Sequence, residues 1–276
     1  MNIEFLTNDY LLAWTLLFKS SICEEIQNLK EKLYSTYPKQ YIDLEKENIE
    51  ILKYNDDFIP DDDTIYSLVF ESEIFEKVKK ETEKHRRFLM KNWDKYKKEI
   101  NSSLKELLRF DIDNTYHLLV IHPQLNTIEY INHNPKHNIC WGKKEDTIDG
   151  LKTLMRIVFS IVKYEIGDYQ KPNTEIVLSI LDLAINNELH TRLSKSSKYD
   201  DGFRNLKVLK KQLYPYWLMY MGADREDLVS YMMRDQIAFD FEKYPIEIGL
   251  RKVDLYSFID FCCNNQKYII RLDNIV

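Results

Sequence analysis

The side chains able to do chemistry here are six histidines (His85, His117, His122, His133, His137 and His190), four cysteines and the carboxylates set in apolar surroundings. No two histidines stand four apart within a helical pattern, so the two-histidine zinc helix of a metallohydrolase is absent. His133 and His137 have that separation, but Pro135 lies between them and prevents a regular helix. Grouped with Glu188, they form the one candidate set for a metal site in a loop. His117 and His122, five apart along a strand pattern, point to opposite faces. So do Cys140 and His137, which would otherwise pair a thiol with a base. The remaining cysteines, Cys23 and the adjacent Cys262 and Cys263, form no C-x-x-C pair. Free thiols in a reducing compartment are expected. With only six glycines, the chain carries neither a nucleophile elbow nor a glycine-rich phosphate loop.

Three charged groupings stand out. Glu175, Asp182 and Glu188 lie on one predicted helix, and Asp182 sits between Leu181 and Leu183. A carboxylate in that setting is buried and needs a partner, so a structural ion pair or cap is expected. Asp182, Asn186 and Leu189 follow one helical stripe. Around Asp61, Asp62 and Asp63 an acidic run lacks the alternating spacing of a calcium loop, and a solvated loop with a helix cap is expected. From 77 to 98 the chain is basic, with Phe88, Trp93 and Tyr96 interleaved. This is either a nucleic-acid-contacting helix or the solvated side of an amphipathic one. The acidic balance of the protein favours the second, so nucleic acid is not the expected partner.

The elements that position these groups follow from periodicity. Thr7 is expected to cap a helix carrying Tyr10, Trp14 and Leu17, which extends to Leu33. Its apolar run follows Asp9 rather than a basic stretch, so a buried helix is expected and a signal peptide is not. Pro38 marks a boundary, and a weaker helix spans 41–54. A long helix or helix pair covers 64–108. Strands are predicted at 115–121, 127–131 and 137–141, arranged as a small, largely antiparallel sheet. An apolar helix over 148–166 stops at Gly167. Another covers 174–193, and a polar loop runs to Gly202. The rest is helical, with a last strand at 268–272.

Composition sets the frame. A 44% hydrophobic and 30% charged chain of 276 residues supports a full core and excludes wholesale disorder. Few glycines and prolines favour long helices over a turn-rich β fold. The net charge of −6 argues against a general nucleic-acid coat protein. No apolar run reaches the ~20 residues needed to span a bilayer. A cytoplasmic protein that does not associate with membranes is expected.

The order of parts resembles the zincin metallopeptidases, most nearly the gluzincin type. A strand ends in Trp141-Gly142, an apolar helix follows, and a second helix carries Asn187-Glu188-Leu189. Leu213-Tyr214-Pro215-Tyr216-Trp217-Leu218 adds to the likeness, which covers roughly 110–222. In such enzymes the apolar helix bears H-E-x-x-H, and the second helix adds a carboxylate as third zinc ligand. One register puts Arg156 and Ser160 at the histidine positions and Ile157 at the glutamate. A register one residue earlier gives Met155, Arg156 and Phe159. Neither keeps a ligand pair or a base. Asp182 matches the third-ligand carboxylate and Glu188 a later acidic position. The resemblance implies an α+β, mainly helical fold, with a helical region over 1–109 and a zincin-like core over 110–276. It implies a catalytically inactive homologue, without metal or cofactor, in which Arg156 neutralises Asp182. Such a protein would bind a peptide or partner protein, as within a peptide-modification or protease complex. The peptide would lie along an edge strand carrying His137, Ile139 and Trp141.

Overall fold

The computed structural model describes residues 1–19, 23–46, 60, 62–123, 130–131, 138–142, 149–167, 174–195, 202–234 and 248–269. The protein is mainly helical with one small sheet. It divides into two compact units, Met1–Lys97 with Asp113–Leu154, and Lys98–Ile112 with Met155–Val276. The division expected at 109/110 tracks a change of character along the sequence. The compact units track which elements pack together, and each takes two stretches of chain.

The first unit opens with β1 (Asn2–Leu6), a strand that the sequence reading did not include. Its alternation is plain in hindsight: Ile3 and Phe5 are buried while Asn2 and Glu4 are exposed. Because the strand runs to Leu6, the helix cap falls on Asn8 rather than Thr7. The Leu11 N–H donates to Asn8 Oδ1 at 2.8 Å. Next come α1 (Asp9–Lys19), α2 (Glu24–Thr36) and α3 (Pro38–Lys46), where Pro38 occupies the first helical position. Helix α1 ends at Lys19 and α2 starts only at Glu24, so the single expected helix is two. The expected helix over 47–54 lies outside the described residues. Asp62 accepts from the Thr64 N–H at 2.9 Å and so tightens the start of α4 (Thr64–Phe70). At Ser72 the chain turns, and the Ser72 hydroxyl accepts from the Phe75 N–H to start α5 (Glu73–Leu108). Leu11, Trp14, Leu17, Tyr66, Val69, Phe75 and Val78 from these helices form one core with Leu119, Ile121 and Cys140 of the sheet.

Strand β2 (Thr115–Val120) pairs in parallel with β1, and β4 (Asn138–Trp141) pairs in parallel with β2. Only the two-residue β3 (Tyr130–Ile131) runs antiparallel, on the far side of β4. The sheet is therefore mostly parallel, which corrects the antiparallel expectation. Without β1 in view, three strands in quick succession suggest a meander. With it, the helices α1–α5 become the long crossover that parallel pairing requires. Strand β4 is interior rather than an edge.

The second unit is helical. It contains most of α6 (Gly150–Ile166), then α7 (Thr174–Asp182), a π-helical turn (Leu183–Leu189) and α8 (His190–Ser194). A 3-10 turn leads into α9 (Lys207–Tyr220), followed by α10 (Arg225–Arg234), α11 (Leu255–Asn264) and α12 (Gln266–Ile269). The last of these replaces the start of the strand expected at 268–272; positions 270–272 lie outside the described residues. Trp217, Tyr220 and Phe258 pack ring against ring at the centre. No helix among the described residues is long and apolar enough to cross a membrane.

Candidate functional site

The positions that the zincin-like register singles out lie in the second unit, and one of them, Asp182, stands in a buried polar cluster. Helix α7 ends at Asp182, whose side chain is wholly buried. The next seven residues widen into π-helix, a form that concentrates at functional or strained places. The wider turn brings both Asn186 and Asn187 inward, and both are buried. Asp182 Oδ1 accepts from Asn186 Nδ2 at 2.6 Å. Its Oδ2 accepts from Lys210 Nζ at 2.5 Å and from the Phe203 N–H at 3.0 Å. Lys210 also donates to Asn187 Oδ1 at 3.1 Å. Gly202 lets the loop come this close. It has a positive φ of 57°, and a Cβ built on it would stand 2.5 Å from Asp182 Oδ2.

The expected Arg156–Asp182 pair is therefore not formed; Lys210 is the cation that neutralises Asp182. The reason is reach and direction. Helix α9 turns Lys210, Leu213, Trp217 and Tyr220 inward, and Lys210 is 6% exposed, whereas Arg156 on α6 is only half-buried. Sequence reasoning missed Lys210, yet its spacing from Leu213 and Trp217 puts it on the buried face of its helix. Ile157 is fully buried, and the buried Ser160 donates to the carbonyl of Arg156 within its own helix at 3.1 Å. Met155 and Phe159, the alternative register, are buried as well.

Glu188 projects from the opposite side of the π-turn. Its Oε1 accepts from Arg192 Nε at 2.9 Å, and Arg192 Nη1 reaches Glu106 Oε2 at 2.9 Å. Burial lowers the affinity of Arg192 for its proton, but the two carboxylates outweigh it and raise its pKa. Asp182 and Glu188 therefore do not converge. A carboxylate bound by an ammonium, an amide and a backbone N–H has no use as a proton acceptor and leaves little room for a metal.

The peptide-edge assignment is also corrected. Ile139 and Trp141 lie on β4, between β2 and β3, and both are fully buried. His137, like His133, lies outside the described residues. Cys140 is buried, and loss of water pushes its thiol up to about 12, which suppresses the nucleophilic thiolate. All four cysteines are free thiols. In the first unit His122 Nε2 lies 2.8 Å from Glu81 Oε2, and His117 Nε2 lies 3.5 Å from Glu4. The nearby His85 ring is buried with no hydrogen-bond partner on either nitrogen. Among the described residues no three histidine, cysteine or carboxylate groups are placed to hold a metal ion.

No family model matches the chain, and no curated protein and no solved structure matches it.

Proposed function

We propose that this chain is a non-catalytic, metallopeptidase-like protein that acts by binding a peptide or a partner protein. One observation carries the reading: Asp182, the carboxylate at the third-ligand position, is closed by Lys210, Asn186 and the Phe203 N–H. The ammonium of Lys210 takes the place that a divalent cation would need, and Ile157 cannot move a proton. An ion pair of this kind links the π-turn to α9 and keeps the helices in register without metal. What such a frame retains is shape, and with it the capacity to bind. The fate of Glu188, turned toward Arg192, fits the same reading, since it removes the second acidic group from any shared site.

The full chain is incubated with zinc, dialysed and assayed for metal. It is then offered a fluorescent pool of random peptides, with cleavage and binding followed together. Saturable binding without cleavage, and far less than one zinc per chain, is expected. Stoichiometric zinc with chelator-sensitive cleavage would make the protein an enzyme, and absence of saturable peptide binding would remove the binding half of the proposal. Lys210→Met provides a check on the cross-link. Leaving Asp182 buried and unpaired costs about 3–5 kcal/mol, so its melting temperature drops sharply. An unchanged melting temperature would show that the pair does not hold the helices together.

A further inference from the structure

Helix α5 carries a charge pattern unlike the rest of the chain. Between Lys77 and Lys97 nine basic residues face three acidic ones, a surplus of six positive charges. The whole chain carries −6, so everything outside this stretch carries −12. The structure shows how those cations are arranged. At about 100° per residue, Lys77, Lys80, Lys84, Arg87, Lys91 and Lys95 fall within an arc of about 80°. All six are exposed. Val78, Thr82, His85, Leu89 and Trp93 are buried on the other side of the helix. The row is about 27 Å long, with neighbouring residues about 5–6 Å apart.

The acidic residues of this stretch fall outside the arc, and each already has a partner. Glu81 bonds to His122, Glu83 to Arg86 and Arg87, and Asp94 to Lys97. In contrast, no ion pair engages Lys77, Lys80, Lys84 or Lys91 among the described residues. The overall negative charge does not cancel this field. At physiological ionic strength, exposed charges more than about 8 Å away are largely screened.

We propose that this face of α5 is a docking surface for the phosphate backbone of a nucleic-acid duplex, without sequence preference. Charge complementarity identifies the occupant: a row of exposed cations, Arg87 alone among the six in an ion pair with a carboxylate of its own helix, matches a regular row of anions better than the mixed charge of a folded protein surface. Five of the six cations are lysines, which act as point charges and lack the bidentate fork that reads base edges. A single strand would need exposed aromatic platforms for its bases. Phe88 and Tyr96 are half-buried and Trp93 is buried, so none is offered. An anionic membrane surface would be met by an amphipathic helix with an exposed apolar edge, and this arc has none.

The test measures binding of the full chain to a mixed-sequence DNA or RNA duplex by fluorescence anisotropy, across salt concentrations. With about five phosphates neutralised, a fourfold rise in salt weakens binding roughly 500-fold. Lys77→Gln, Lys84→Gln and Lys91→Gln together should abolish most of the affinity and flatten the salt response. A control removes the same charge elsewhere, by Lys32→Gln, Lys39→Gln and Lys211→Gln, and should bind nearly as the parent does. Circular dichroism and melting temperature confirm that both variants fold; if the stripe variant does not, the paired single substitutions replace it. No binding at low salt would overturn the proposal, as would equal losses in the stripe and control variants. Tighter binding to single strands, poly-glutamate or phosphatidylserine vesicles than to duplex would overturn it too.

Discussion

His85 shows what one enclosed side chain does to the pH response of a protein. Its ring is sealed on the inner face of α5, near Phe88, and neither nitrogen has a hydrogen-bond partner. Loss of water, with a smaller contribution from His122, lowers its pKa from 6.5 to about 4. The folded protein thus holds it neutral while the unfolded chain protonates it. Its contribution is fully present above pH 6.5 and is lost as pH falls toward 4. The whole effect is about 3 kcal/mol at most. Urea unfolding of the parent and of His85→Phe at pH 7 and pH 4.5 isolates it, since the carboxylates titrate alike in both. The variant should lose less stability on acidification by about 2 kcal/mol; equal losses would show that the ring is accessible to protons in the folded state.

At the scale of elements, Arg109 fixes the end of the longest helix. It adopts a left-handed φ of 58°, rare outside glycine and asparagine. The conformation is held by its own side chain. The guanidinium donates to the carbonyls of Leu250, Val253 and Tyr220 and lies 4.0 Å from the centre of the Tyr220 ring. Tyr220 in turn donates to the Leu107 carbonyl at 2.6 Å, and burial pushes its hydroxyl pKa well up. One side chain thus ties the end of α5 to the end of α9 and to the segment before α11. Arg109→Ala keeps the unfavourable backbone angle and removes these bonds. A loss of about 2–3 kcal/mol is expected by denaturant unfolding. Arg109→Gly relieves the backbone and should recover a few tenths to 1 kcal/mol of that. If alanine and glycine both unfold like the parent, the bonds contribute nothing net.

For the molecule as a whole, the segregation of charge has a consequence separate from any particular partner. With a pI near 5.6 the protein should bind an anion exchanger at pH 7.5. The α5 stripe should also hold it on immobilised heparin at low salt, because local potential rather than net charge governs such contacts. Release by about 0.3 M salt is expected as screening shortens to a few ångströms. The variant lacking Lys77, Lys84 and Lys91 should pass through. Retention of that variant would place the anion contact elsewhere on the surface.

The sequence by itself determined the local chemistry. Periodicity marked the buried α1, the apolar α6 and the strands at 115–120 and 138–141. Hydrophobic spacing within one element depends only on its own residues, so one chain suffices to expose it. Likewise, Asp182 between two leucines announced a buried carboxylate that needed a partner. What only the tertiary structure decided was which elements meet. A five-residue strand at the start of the chain gave β2 a parallel neighbour, and the pairing of β4 with both β2 and β3 made it interior. The partner of Asp182 proved to be Lys210, 28 positions away, rather than the arginine that a family likeness suggested. Such pairings are set by how helices cross in space, and no spacing along one helix encodes the position of the next.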